Sequence, residues 1–205
     1  ILAVIVVLLR LEPHNSAIVI IACTAGAMLF LGGVKYRWFI LGGCAMLLGL
    51  ILILGAGGYE ASRITAWQDP FSDPTDDGYQ IIQSLYAIGS GGLFGLGFGQ
   101  GRQKYLYLPE EHNDYIFSIA CEELGLTGAA AILLLYALLI LRGYWISMHI
   151  RDRFLSLTVA GITTLTALQV FFNIGVVTNL LPSTGISLPF FSYGGTALLI
   201  QLGEM

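Results

Sequence analysis

The chain has 205 residues, of which 56% are hydrophobic and only 11% are charged. Because soluble domains carry about 25% charged residues, this composition excludes an ordinary soluble protein and predicts an integral membrane protein. The formal net charge of −4 argues against a nucleic-acid partner. Three cysteines, Cys23, Cys44 and Cys121, lie in apolar stretches without metal-ligand spacing, so we expect them to be buried hydrophobic side chains.

Long apolar runs predict the membrane spans. We place these spans at 1–9 (partial), 16–33, 38–57, 115–141, 154–178 and 194–205 (partial). Because the first and last runs are cut short, we expect the chain to be a fragment of a longer protein. The predicted fold class is an all-α integral membrane protein, a polytopic helical bundle with a large extracytoplasmic loop that contains short interfacial helices.

Basic residues set the predicted orientation of these spans. The connection at 34–37 carries two basic residues, and the connection at 142–153 carries three arginines against one acid. The positive-inside rule places both connections in the cytoplasm. The acidic loop 58–114 and the connection 179–193 then lie on the outer side of the membrane.

The long loop 58–114 is predicted to be structured. It carries eight acidic and three basic residues, but aromatic and aliphatic residues occur throughout it. Within residues 78–88, Ile81, Leu85 and Ile88 fall on one helical face, which predicts a short amphipathic helix in the membrane interface. A loop of this length in a compact protein is usually functional.

Seven glycines follow in residues 89–101, GSGGLFGLGFGQG. Because backbone amides approach a ligand closely where side chains are absent, this pattern resembles a phosphate-binding loop. Tight turns at a membrane surface are the more ordinary explanation for it. Arg102 and Lys104 come next, and two cations beside carboxylates suit a pyrophosphate. Long basic side chains also extend from apolar surroundings to the interface, so both interpretations of this pair stay open.

Carboxylates meet an apolar helix in residues 108–125, LPEEHNDYIFSIACEELG. If the helix begins near Asn113, then Asp114 and Glu122 share one face. Glu122 then lies roughly 12 Å deeper along the axis, at about 1.5 Å per residue. Carboxylates at a bilayer edge are costly, so this polar stripe is a candidate functional site. The alternative is structural, with an acid at the helix N-terminus and with Glu122 and Glu123 paired to a neighbouring helix.

Prolines interrupt the apolar sequence at 179–193, which predicts a re-entrant or interfacial loop. A plain connecting loop is the alternative. In the preceding span, Gln169 and Asn173 are four residues apart and are expected to make hydrogen bonds between helices. The sequence contains no GxSxG, no HExxH and no His/Cys cluster, so it offers no support for a hydrolase or a zinc site.

Three motifs resemble the SEDS family (shape, elongation, division and sporulation), whose members include FtsW, RodA and SpoVE. They are PFSDPTDDGYQIIQSLYAIGSGGLFGLGFGQG at 70–101, RQKYLYLPEEHNDYIFSIACEELGLTG at 102–128 and NIGVVTNLLPSTGISLPFFSYGG at 173–195. The resemblance covers nearly the whole chain, as about the C-terminal half of a ten-span protein. Residues 102–110 are more similar to the FtsW and SpoVE branch than to RodA.

The resemblance implies a peptidoglycan glycosyltransferase of the bacterial cytoplasmic membrane. Such an enzyme polymerises lipid II into β-1,4 glycan strands at the outer face during cell division or sporulation. A class B penicillin-binding protein and other division proteins are the implied partners. A lipid II flippase and a non-catalytic division scaffold are the alternatives. The polar cluster at the outer surface favours the enzyme over a transporter, whose site is expected near the midplane.

The resemblance also singles out one catalytic residue. Asp114 falls on the family's essential aspartate and is the expected general base. The residues expected to bind the substrate are Arg102, Lys104, Glu110, His112, Glu122, Gln83 and Ser192. Two departures occur: Asn113 stands where most members have Thr, and His14 stands where many have Asp, so no role of that acid carries over. No cofactor is certain, and a divalent cation, Mg or Mn, is the possibility left open.

Overall fold

The computed structural model describes residues 8–9, 15–38, 40–43, 59–72, 74, 77–103 and 113–204. Every secondary-structure element in these ranges is helical. The helices described from end to end are α1 (Asn15–Leu31), α2 (Tyr59–Gln68), α3 (Asp77–Gly91), α4 (Ile116–His149), α5 (Arg153–Val177) and α6 (Gly195–Gly203). Residues 8–9, 36–38 and 40–43 are also helical. Helices α4 and α5 are long and apolar enough to cross a membrane. The prediction of an all-α membrane protein is therefore confirmed.

The helices can be compared with the apolar runs of the sequence. Helices α1, α5 and α6 occupy the runs at 16–33, 154–178 and 194–205, and α3 contains the amphipathic pattern at 78–88. The runs at 1–9 and 38–57 lie largely outside the described residues. Helix α2 was not predicted from the sequence.

Helix α4 continues eight residues beyond the predicted span, which ended at 141. The Arg142 guanidinium lies 4.3 Å from the centre of the Trp145 ring. The His149 ring nitrogen Nδ1 is 2.7 Å from the Trp145 carbonyl oxygen. These contacts stabilise polar helical turns after the apolar sequence has ended.

Contacts divide the chain into two compact units, Ile1–Ser62 with Ile140–Leu168, and Arg63–Leu139 with Gln169–Met205. In the first unit, small residues let helices approach closely. A Cβ atom on Gly143 would lie 2.4 Å from Thr163 Oγ1. The Tyr144 and Thr164 hydroxyl oxygens are 2.9 Å apart. Small residues and short polar side chains are the usual contacts between membrane helices.

The second unit contains a hydrophobic core. Its buried residues include Tyr115, Phe117, Ile119, Cys121, Tyr136, Val170, Val177 and Leu188. Buried hydrogen bonds of Ser84 join α3 to α4 and α5 in this unit. The Ser84 and Ser118 hydroxyl oxygens are 2.7 Å apart, and Ser84 Oγ donates to the Val177 carbonyl over 2.8 Å. Cys121 is buried as expected, Cys23 is half-buried, and Cys44 lies outside the described residues.

Helix α4 is interrupted at Gly125, whose backbone has φ 67° and ψ −168°. This region of conformational space is essentially restricted to glycine. A Cβ atom on Gly125 would also lie 2.2 Å from the Gly95 nitrogen. Position 125 therefore requires glycine for its backbone angles and for its close contact.

The glycine-rich loop, which we define as residues 91–101, binds α4 at this interruption. Four backbone hydrogen bonds of 2.9–3.1 Å join them: Leu96 N to Glu122 O, Gly97 N to Glu123 O, Leu126 N to Gly92 O and Thr127 N to Leu93 O. These bonds satisfy helix groups that the interruption would otherwise leave without a partner.

We predict that Gly125→Ala destabilises the protein by about 1–3 kcal/mol, the usual cost of a strained backbone conformation. The expected result is a lower unfolding temperature in detergent. Gly89→Ala is the matched control, because Gly89 lies in α3 with no atom within 4 Å of an added Cβ. Alanine is the better helix former there, so that variant should melt at the wild-type temperature or slightly above it. Equal unfolding temperatures for the two variants would contradict the account of Gly125.

Candidate active site

Asp114 lies half-buried in the turn that immediately precedes α4, because the helix begins at Ile116 rather than near Asn113. The Asp114 carbonyl accepts a hydrogen bond from Asn173 Nδ2 over 2.7 Å. The same nitrogen donates to the Ile186 carbonyl over 2.8 Å. The buried Asn173 amide therefore fixes the backbone of Asp114 to that of Ile186.

Residues 178–194 form an irregular segment that packs beside Asp114. A Cβ atom on Gly185 would lie 3.4 Å from Asp114 Oδ2, so the Gly185 backbone borders the carboxylate. Ser192 Oγ donates to the Asn113 carbonyl over 2.6 Å and accepts from the Leu188 amide over 2.7 Å. The segment thus packs on protein, as irregular backbone in a membrane protein must.

Helix α2 fastens this segment through two side chains. Arg63 Nη1 donates to the Ser183 carbonyl over 3.2 Å. Trp67 Nε1 donates to the Asn179 carbonyl over 3.1 Å, and Asn179 Nδ2 donates back to the Trp67 carbonyl over 3.4 Å. Arg63 and Trp67 are four residues apart and share one helical face. That spacing was the only signal in the sequence that could have found them, and sequence reasoning missed both.

Arg63 and Asp114 both influence the pKa of the buried Tyr115 phenol, which lies just before the membrane-length helix α4. Burial is the main cause that raises the pKa of Tyr115 above its ordinary value. Asp114 raises it further, whereas Arg63 lowers it. The Asp114 carboxylate is half-buried on a backbone that Asn173 fixes, so a group that donates a proton to it would meet a carboxylate held in one place.

Two further carboxylates hold the end of the glycine-rich loop. Glu122 is 1% exposed, and its two oxygens accept from the backbone amides of Arg102 over 2.8 Å and Gln103 over 3.2 Å. Glu123 Oε2 accepts from the Gly99 amide over 2.9 Å. Glu123 thus binds an amide of the glycine-rich loop, and Glu122 binds the two amides that follow it. Backbone amides are the kind of donor that a phosphate would use.

The other residues expected to bind substrate are spread over the structure. The Arg102 residue is exposed, Gln83 is half-buried on α3, and Ser192 contacts the backbone next to Asp114. Lys104, Glu110 and His112 lie outside the described residues. Within the described part of the chain, no three His, Cys, Asp or Glu residues are grouped so that they could hold a metal ion.

Comparison with known proteins shows which family the sequence matches. The whole chain, residues 1–205, matches the model of the FtsW, RodA and SpoVE family, described as "Cell cycle protein". "Stage V sporulation protein E" of Bacillus subtilis is 44% identical over 93% of this chain and 52% of its own length. "Probable peptidoglycan glycosyltransferase FtsW" of Legionella pneumophila is 45% identical over 98% of this chain and 52% of its own length. The chain spans about half the length of the curated relatives that it matches.

A solved structure is similar over almost the whole chain. It is described as "Structural coordination of polymerization and crosslinking by a peptidoglycan synthase complex". The TM-score is 0.77 at 28% sequence identity, covering 98% of this chain and 56% of the solved one.

We predict that Arg63→Ala loosens the segment beside Asp114. A hydrogen bond from a charged donor contributes about 1.5–3 kcal/mol, so amide hydrogen exchange in residues 179–188 should accelerate about tenfold or more. Gln68→Ala is the control, because Gln68 is an exposed residue of the same helix. Unchanged exchange in the Arg63 variant would show that α2 does not hold the segment.

We predict that Glu122→Gln releases the end of the glycine-rich loop, because an amide side chain cannot accept both backbone donors as a carboxylate does. Trypsin should then cleave after the exposed Arg102 several-fold faster than in the wild type. Glu204→Gln, at an exposed glutamate, should leave the cleavage rate unchanged. If trypsin cleaves both variants at the same rate, Glu122 does not hold the end of the loop.

Proposed function

This chain belongs to the cell cycle protein family of FtsW, RodA and SpoVE, and from that membership we propose that the protein is a peptidoglycan glycosyltransferase. It polymerises lipid II into β-1,4 glycan strands during cell division or sporulation. The names of several curated relatives support this activity. The structural observation that carries the proposal is the Asp114 carboxylate, half-buried on a backbone that Asn173 fixes.

Asp114 acts in this proposal as the general base. It takes the proton from the 4-hydroxyl of an acceptor GlcNAc while that oxygen bonds to the anomeric carbon of the donor MurNAc. The bond from that carbon to undecaprenyl pyrophosphate breaks, and the pyrophosphate leaves with the electron pair, so the anomeric carbon inverts. General bases have to be held in position before their pKa matters. The hydrogen bond from Asn173 and the contact with Gly185 provide that positioning.

The leaving pyrophosphate is already a stabilised anion, so it requires charge neutralisation more than protonation. Arg102 and Lys104 are proposed to supply positive charge, and the backbone of Arg102 is held by Glu122. A divalent cation would suit the same oxygen ligands. The described residues do not form a site for one by themselves, so no step of the proposal passes through a metal ion.

The proposed location is the cytoplasmic membrane of a bacterium, which the protein crosses several times with Asp114 on the outer side. The two basic connections support that orientation through the positive-inside rule. A class B penicillin-binding protein that cross-links the strands is the proposed main partner, with other division proteins. The similar solved complex, described as coordinating polymerization and crosslinking, supports such a pairing.

We predict that Asp114→Asn, which keeps the shape and removes the base, lowers glycan polymerisation about 10²–10⁴-fold. The measurement is strand formation from purified lipid II by the full-length protein with its penicillin-binding protein. Asp69→Asn is the matched control, because Asp69 is an exposed aspartate of the same large loop. It should retain wild-type activity.

The Asp114 variant has to unfold at the same temperature as the wild type, so that a loss of polymerisation cannot come from misfolding. A folded variant that still polymerises lipid II would overturn the role of Asp114. Wild-type protein that moves lipid II across vesicles without polymerising it would instead identify a flippase.

A further inference from the structure

The glycine-rich loop exposes large apolar side chains. Leu93, Phe94, Leu96 and Phe98 are 62%, 81%, 44% and 88% exposed. No charged residue occurs anywhere in 89–101. Four large apolar side chains within six residues form an exposed patch of the kind that marks a protein or membrane contact.

The position of the loop along α4 gives its depth in a membrane. Residues 124–141 of α4 carry no charge, and Glu123 and Arg142 bound this stretch. At 1.5 Å per residue the stretch is about 27 Å long, close to the ~30 Å hydrocarbon thickness of a bilayer. The loop is bonded to α4 between Glu122 and Thr127. It therefore lies level with one edge of the hydrocarbon region.

The loop also meets the hydrogen-bonding condition for that depth. Polar backbone groups that face lipid have to be bonded within the protein. Besides the bonds to α4, Gly95 N donates to Gly91 O over 2.8 Å, and Gln100 N donates to Gly97 O over 3.0 Å. The Gly99 amide donates to the Glu123 carboxylate. These amides are bonded inwards, while the apolar side chains are exposed outwards.

From this arrangement we infer that the glycine-rich loop inserts its four apolar side chains into the bilayer leaflet at the Glu123 end of α4. The occupant of the patch is lipid acyl chain rather than a protein partner. The reason is continuity: Leu124 and Leu126, which flank the interruption of this membrane-length helix, are 37% and 61% exposed. The loop extends that exposed apolar surface of α4 sideways. The inference does not depend on the proposed enzymatic activity.

Spin labels can measure the depth of the loop. Phe98→Cys and Phe94→Cys are labelled singly in the full-length protein after its native cysteines are replaced. The protein is reconstituted into phosphatidylcholine and phosphatidylglycerol vesicles. Leu134→Cys, in the middle of the uncharged stretch and 60% exposed, is the lipid reference. Arg151→Cys, in the exposed basic turn, is the aqueous reference.

The expected result is that labels at 94 and 98 collide with oxygen several-fold more often than with a water-soluble nickel chelate, as at Leu134. Collision with the nickel chelate at the frequency of Arg151 would place the loop in water and overturn the inference. Labels that collide with neither reagent would show that protein covers the patch, which also overturns it. Labelled proteins must melt within a few degrees of the wild type. If either does not, Phe98→Trp is tested with brominated lipids instead: quenching of its fluorescence supports the inference, and its absence overturns it.

Discussion

The need to satisfy every backbone polar group inside a membrane governs this structure. Helix α4 breaks at Gly125, and a break at that depth would expose amides and carbonyls at a cost of several kilocalories per mole each. The glycine-rich loop supplies the missing partners through its own backbone. Because glycine has no side chain, Gly95 and Gly125 can approach closely enough for those bonds to form. The helix interruption and the loop therefore stabilise each other.

The same requirement shapes the surroundings of Asp114. Irregular backbone runs from 178 to 194, and side chains from other elements donate to its carbonyls. These donors are Arg63, Trp67 and Asn173. The segment passes beside the Asp114 carboxylate at Gly185. The polar residues that surround Asp114 thus hold the backbone in place, and the geometry of the carboxylate is a consequence of that packing.

Local patterns in the sequence predicted much of this fold but not its long-range contacts. Apolar runs and helical periodicity predicted an all-α membrane protein and a helix across 78–88. The family resemblance directed attention to Asp114, a choice that spacing could not make among several carboxylates. Arg63 and Trp67 escaped notice because their partners lie 120 and 112 residues further along the chain. The break at Gly125 was missed because a glycine in an apolar helix is usually tolerated and because its partners lie in another part of the chain, at 92–97.

Asp114 and Glu122 were expected on one helical face, but Asp114 lies in the turn before α4 and only Glu122 lies in the helix. Their surroundings differ accordingly. Glu122 is 1% exposed, and each of its oxygens accepts a backbone amide. A carboxylate used in this way stabilises a loop and is poorly placed to exchange a proton with a ligand. Asp114 is half-buried, and its side chain borders a residue that has no side chain of its own. Environment decides which member of a carboxylate pair can act as a base, and the role proposed for Asp114 rests on this difference in surroundings.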